Sequence, residues 1–515
     1  MRKLLLPVLP VVLITSFFAS AQKKNSPPYF AASITADDMK RHLYIIAGPG
    51  MEGRDTPSPG LEKAASYIED HFKSLGLLPG NKESYRQLYP LYKDSMTSTH
   101  LNINGTVFEL NKDFQPNTML NHTAEMRFSE LAFAGYGIVD GETNHYKDLD
   151  VNGKLVIILD GSPAGYKPSV TGFSSPANVF SKIDKAQEKG AAAVVIIYGN
   201  YPRKPLNGSL SYNKHGFQAA MSPLTFSASE AIAETILGAD GKGIIEKMKA
   251  SPLSSKIYKA NIDLGYFKNT TTVHASNVLG LIEGTDKKDE YVVITSHYDH
   301  VGKRNDGTIY YGADDDGSGT VAILELAEAF AKAKAEGKGP RRSILFMTVS
   351  GEEKGLWGSE YYSNNPVYPL DKTTVDLNID MIGRIGAEYL KDKDSASYIY
   401  VIGDDKLSTD LMPITEDVNK KYLKMKLDRK YNDPNDKNRF YYRSDHYNFA
   451  EKGVPVIFYF NGVHADYHRP TDTPDKINYK LMAKRAQLIF YTALEIANRN
   501  DMLKRDLKLE KPKGF

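Results

Sequence analysis

Between residues 60 and 77, Leu61, Ala64, Ala65, Ile68, Phe72 and Leu75 recur at steps of three and four. That spacing predicts an amphipathic helix, because residues so spaced share one face of a 3.6-residue turn. The whole of 36–78 reads as helical, with Gly76 and Gly80 near its end as stop signals. From about residue 96 the pattern shortens. Alternating segments at 101–103, 130–133 and 155–159 are separated by Gly, Asn and Asp, the texture of strands and turns. One helical stretch, 179–189, feeds an apolar strand at 191–198. From about 276, strand-length apolar runs at 291–296, 343–349, 374–379 and 455–460 begin, with a helix-periodic stretch at 320–334. This alternation predicts an α/β fold, a mixed, mainly parallel sheet flanked by helices. The expected organisation is a leader at 1–21, an N-terminal part of the α/β domain at 22–95, a β-rich insert at 96–268, the main α/β domain at 269–500 and a charged, solvated tail at 501–515.

The leader carries Arg2 and Lys3, an apolar run at 4–18, and Ala19-Ser20-Ala21 before Gln22. That order predicts a cleaved secretory signal. The run falls short of the roughly 20 residues of a spanning helix, and Pro7 and Pro10 interrupt it. The expectation is an exported protein, periplasmic or secreted, with no stable membrane insertion after cleavage. The 515 residues hold 65 Lys+Arg against 63 Asp+Glu, and two of the basic residues sit in the leader. A mature chain near zero charge argues against nucleic acid, or anionic membrane in general, as a partner. The chain has no cysteine. Disulfides, thiolate nucleophiles, iron–sulfur clusters and cysteine zinc sites are therefore excluded. Any metal must be held by His, Asp and Glu.

Those residue types gather where the strands end. His297, Tyr298 and Asp299 follow 291–296, and Glu352 and Glu353 follow 343–349. Asp380 closes 374–379, and His464-Ala465-Asp466-Tyr467-His468 comes after 455–460. Asp314, Asp315 and Asp316 precede the helix at 320–334. Open α/β sheets bind ligands beyond the carboxyl ends of their strands. Two zinc ions sharing Asp315 account for the set. One also takes His297 and Asp380, the other Glu353 and His468, and each keeps an open position for water. Three carboxylates and one hydroxide balance two dications, whereas without metal the acids would repel and take up protons. Glu352 diverges from its neighbour Glu353 and is expected to stay uncoordinated as general base. Asp299, two residues beyond His297 in extended backbone, is expected to accept the other ring N–H and orient it. Asp314 and Asp316 read equally well as turn or helix-cap residues. His300, His446 and His464 remain as supporting or substrate-side groups.

Five motifs carry a resemblance: Ser296-His297-Tyr298-Asp299, the run from Gly312 through Asp314-Asp315-Asp316 to Gly319, Ser350-Gly351-Glu352-Glu353-Lys354-Gly355, Asn378-Ile379-Asp380-Met381 and Tyr467-His468-Arg469-Pro470. In this order they resemble the co-catalytic zinc aminopeptidases, metallopeptidase family twenty-eight. The resemblance implies two zinc ions per chain, held by His297, Asp315, Glu353, Asp380 and His468. It implies Glu352 as base and favours Asp315, the middle acid, as the bridge. Ser444-Asp445-His446 also matches a family segment, which implies a substrate-side role for His446. Tyr441 or Tyr442 nearby is expected to offer a hydroxyl to the oxyanion. Ala134-Gly135-Tyr136-Gly137-Ile138 and Lys185-Ala186-Gln187-Glu188-Lys189-Gly190 in the insert resemble a protease-associated domain. The implied activity is removal of N-terminal residues from peptides. The rival readings are a carboxypeptidase acting on acidic dipeptides, a single-zinc glutaminyl cyclase on the same scaffold, and a non-catalytic binding protein that would be expected to lose ligands.

Overall fold

The computed structural model describes residues 24–201, 211–213, 222–250 and 253–509. The expected leader at 1–21 and the final residues 510–515 lie outside that set. The described chain forms two compact units, one from the residues up to Gln87 together with those from Ser276, the other from Leu88–Ala275.

After a short helical turn at Pro27–Ala31, the first unit carries α1 (Ala36–Ile46), capped by Thr35, whose hydroxyl accepts from Asp38 N, and α2 (Pro59–Ser74), capped by Ser58. Leu61, Ala64, Ala65, Ile68 and Phe72 are buried, as their stripe requires. The single helix expected over 36–78 is instead two. The break at 47–58 contains Gly48, Pro49, Gly50, Gly53 and Pro57, residues that oppose helix through backbone freedom or a missing N–H.

The second unit contains β1 (Ala124–Phe133), β2 (Leu155–Leu159), α3 (Val179–Glu188), β3 (Ala193–Ile197), β4 (Leu224–Ala228) and the start of β5 (Lys256–Ile282). β1, β2, β3 and β4 pair in parallel, and β5 runs antiparallel to β1. Leu131, Phe133, Ile157, Val195, Phe226 and Ile262 are among its core residues. The units meet at 87/88 and 275/276 rather than at the expected 95/96 and 268/269. Both points lie inside long strands, Arg86–Ile103 and β5, which no change of sequence texture marks.

The first unit then continues through β6 (Lys287–His297), α4 (Gly317–Ala335), β7 (Arg342–Val349), α5 (Trp357–Asn364), β8 (Thr373–Ile379), β9 (Tyr398–Ile402), α6 (Leu411–Tyr422), β10 (Lys426–Asp428), α7 (His446–Glu451), β11 (Val456–Phe460) and α8 (Tyr479–Asn498). Its strand order is β10-β9-β11-β8-β6-β7, followed by the last residues of β5. β7, β6, β8 and β11 are mutually parallel neighbours, while β9 runs antiparallel to β11 but parallel to β10, and β5 runs antiparallel to β7. The sheet is thus mixed and mainly parallel. β7, β8 and β11 are buried at every position, which is the signature of strands covered on both faces. The expected tail is not free over its described part. Leu503 is buried and its N–H donates to Thr374 Oγ1, and Arg505 donates to the carbonyls of Leu370 and Thr373. A Lys-rich composition hid these anchors.

Candidate metal centre

β6, β7, β8 and β11 end on one rim, and each delivers a ligand-type side chain to it. Asp315 turns one oxygen to each of two imidazoles. Its Oδ1 lies 3.3 Å from His297 Nε2 and its Oδ2 3.0 Å from His468 Nε2. Asp380 Oδ1 lies 3.7 Å from His297 Nε2, and Glu353 Oε2 lies 3.0 Å from His468 Nε2. Ligands about 2.0 Å from a tetrahedral zinc stand about 3.3 Å from one another, so both sets have the spacing of coordinating atoms. Glu352 Oε2 remains 3.9 Å from His297 Nε2. Asp315, Glu352 and Asp380 border a space of about 30 Å³, close to the share of one water molecule in the liquid.

The residues fit a cation better than they fit one another. His297 Nε2, Asp315 Oδ2 and Glu353 Oε1 are buried without a hydrogen bond despite these close approaches. Buried polar atoms are rarely left so, because the cost is about 1–3 kcal/mol each. Burial opposes charge on His297, yet Glu352, Asp299, Asp315 and Asp380 hold its pKa well above the usual value. Burial likewise opposes ionisation of Asp315, and His297 and His468 outweigh it, holding the carboxyl well below the usual range. His468 is pushed up to about 10, against its partial burial, by Asp315 and Glu353. In the protein alone, protons on the imidazoles supply the positive charge this cluster demands. Glu352 is different. Burial, reinforced by Glu353, Asp380 and Asp445, raises its pKa well above that of an ordinary glutamate, against the pull of His297.

Asp316 also comes within ligand range of His297 and Asp380. Its Oδ1, however, already accepts from Gly319 N at 2.8 Å and Met381 N at 3.0 Å, capping α4 and tying it to the Asp380 loop. Asp314 is committed as well, accepting from Gly383 N at 2.6 Å and facing His464 Nε2 at 3.1 Å. Of the three, Asp315 is the one that approaches both His297 and His468.

The supporting contacts differ in part from those expected. His297 Nδ1 bonds the backbone carbonyl of Asp299 at 3.1 Å, while the Asp299 carboxylate stands at 3.7 Å. That carboxylate instead accepts from Thr56 Oγ1 at 3.0 Å and Glu352 N at 3.2 Å. Ser444 Oγ donates to Asp380 Oδ2 at 2.7 Å. Asp472 Oδ2 accepts from the amides of Asp314 and Asp315 at 2.9 and 3.2 Å, fixing the backbone of both. Arg54, fully buried, donates to the carbonyls of Ile46, Tyr298, Tyr311 and Gly312. It braces two of the site loops at once. His300 approaches Glu353 Oε1 at 2.8 Å with its Nδ1, closer to the centre than a leftover histidine is expected to be.

Three expected substrate-side residues lie elsewhere. His446 is buried, bonds the Tyr441 carbonyl through Nε2 and is held neutral, its pKa lowered to about 3 by burial. Tyr441 and Tyr442 line a different cavity of about 500 Å³ together with Tyr431 and Leu507. The turn at 440–442 presents Phe440 to the metal side instead, beside Arg443, Phe458, Phe460 and Tyr467. Tyr467 stacks on His468 at 4.0 Å between ring centres, and its hydroxyl accepts from Arg443 Nη2 at 3.4 Å. Its place beside His468 in the sequence is the signal that could have found it.

Residues 277–493 match the model of peptidase family M28. A probable glutamate carboxypeptidase of Arabidopsis thaliana is 29% identical over 159 residues, 31% of this chain and 21% of that protein. Aminopeptidase YwaD of Bacillus subtilis is 24% identical over 378 residues, 70% of this chain and 66% of that protein. The matches thus span about a fifth of the first relative's length and just under two thirds of the second's. An aminopeptidase from Aneurinibacillus sp. strain AM-1 shares the fold, with a TM-score of 0.52 at 21% identity over 94% of this chain and 100% of that one. The ligand-bearing motifs all lie inside the matched segment, so it is residues 277–493 that carry the likeness to peptidase family M28.

Proposed function

We propose that this protein is an exported, zinc-dependent aminopeptidase that releases N-terminal residues from peptides. The observation that carries the reading is Asp315, whose two oxygens face two separate imidazole–carboxylate sets while Glu352 stays outside both. His297, Asp315 and Asp380 would hold one zinc, and Asp315, Glu353 and His468 the other. Bound zinc supplies an acidified water and a polarised scissile carbonyl. Glu352 takes the proton and returns it to the leaving amine, a role its uncoordinated position suits. Tyr467, rather than Tyr441 or Tyr442, stands where a hydroxyl can donate to the developing oxyanion. The surrounding carboxylates offer a counter-charge to a free substrate amine.

A second reading has one observation in its favour. Arg443 borders the same space and could face a substrate carboxylate, as a carboxypeptidase requires. Aminoacyl anilides and C-terminally blocked peptides separate the two. The aminopeptidase reading expects turnover of both, abolished by a chelator and restored by zinc. Cleavage only of peptides with a free C-terminal carboxylate would replace it with the carboxypeptidase. No helix among the described residues is long and apolar enough to cross a membrane, and the leader motif supports export. The mature chain is then expected to begin at Gln22 when its terminus is sequenced. The insert supplies none of the proposed ligands. We read it as a protease-associated module governing substrate access, a role that longer peptides in the same assay would reveal as a length-dependent KM.

A further inference from the structure

We infer that Thr56, far outside the segment that matches the family, is a positioning residue that locks the general-base loop to the brace of His297. The inference rests on the peptidase reading for its catalytic consequence, though not for its geometry. Thr56 is buried, in the Gly- and Pro-rich break between α1 and α2. Its hydroxyl donates to Asp299 Oδ2 at 3.0 Å and accepts from Gly351 N at 3.1 Å. Asp299 Oδ1 in turn accepts from Glu352 N at 3.2 Å, and the Asp299 carbonyl holds His297 Nδ1. An ionised carboxylate can only accept and an amide can only donate, so the single hydroxyl proton has one possible direction. The result is a closed set of bonds: Thr56 to Asp299, Asp299 to Glu352, and the Gly351 amide back to Thr56. Two consecutive residues of the β7 loop, Gly351 and Glu352, are thereby fixed against the residue that orients His297.

Among the described residues, no other hydrogen bond to Gly351 N or Asp299 Oδ2 duplicates these two. Arg54, two residues earlier, clamps the loop after β6, which carries Asp299, by donating to Tyr298 O. The N-terminal segment therefore builds the floor under the base and one metal ligand, although its sequence contributes neither.

The test compares T56V, which keeps the shape and removes the hydroxyl, with T56S, which keeps the hydroxyl. Zinc affinity is read by chelator competition, and kcat and KM on an aminoacyl anilide. Groups that orient metal ligands typically contribute about tenfold to a hundredfold in affinity or activity. T56V is expected to lose that much in kcat, in zinc affinity or in both, with KM within about twofold of wild type. T56S is expected to recover most of the loss. A T56V protein equal to wild type in both readouts, or a loss that serine fails to restore, overturns the inference. If wild type cleaves no peptide, the peptidase reading fails, and zinc affinity alone decides the positioning role by the same comparison.

Discussion

Glu352→Gln protein is expected to fold as wild type and bind the same zinc, yet to lose about 10²–10⁴-fold in kcat. Glutamine keeps the length and much of the polarity of the side chain but cannot accept a proton. The backbone N–H of residue 352 still reaches Asp299, so the loop should stay in place. His297 and Asp315 do not depend on the Glu352 carboxylate for their approach to each other. The loss should therefore fall on kcat, with KM little changed, as for an interaction made only in the transition state. Elemental analysis and steady-state kinetics on one preparation check this. Turnover near wild type would remove Glu352 from its role.

Asp315→Ala is expected to act on the metal itself. Its carboxylate is the only one that faces both His297 and His468 among the described residues, so one substitution strips a ligand from both proposed ions. Each is then left with two protein ligands, below the three of a catalytic zinc site. Zinc content is expected to fall below one per chain, and activity to background. The neighbouring histidine changes as well. Without Asp315, His468 loses one of the two carboxylates that push its pKa to about 10. Retention of two zinc ions by Asp315→Ala would place the bridge elsewhere, with Asp316 the nearest alternative.

The groups on the rim were legible because strand ends are legible. Apolar runs stop where β6, β7, β8 and β11 stop, and the polar residue that follows has nowhere to go but the rim. Asp380 is the clearest instance, an acid closing the fully buried β8. Contacts made by backbone atoms were not legible. The Asp299 carbonyl, not its carboxylate, takes the His297 N–H, and nothing in residue identity distinguishes the two. Nor could spacing place Tyr441 and Tyr442. A tight turn at 440–442 sends them to another cavity and leaves Phe440 and Arg443 toward the acids. Arg54 and Thr56 were hidden for a different reason. They sit some 240 residues before the groups they hold, in a stretch expected to be part of one helical region over 36–78. The described part of the tail was misjudged from its charge, although Leu503 and Arg505 are anchored to the β8 edge by specific bonds.

These inferences share one premise, that His297 with Asp380 and His468 with Glu353 grip two zinc ions on either side of Asp315. Anomalous diffraction from crystals of the zinc-loaded protein, recorded above and below the zinc absorption edge, tests it directly. The account predicts two peaks, each within about 2.0–2.2 Å of an Asp315 oxygen, one beside His297 and the other beside His468. A single peak, or metal coordinated without Asp315, would contradict it.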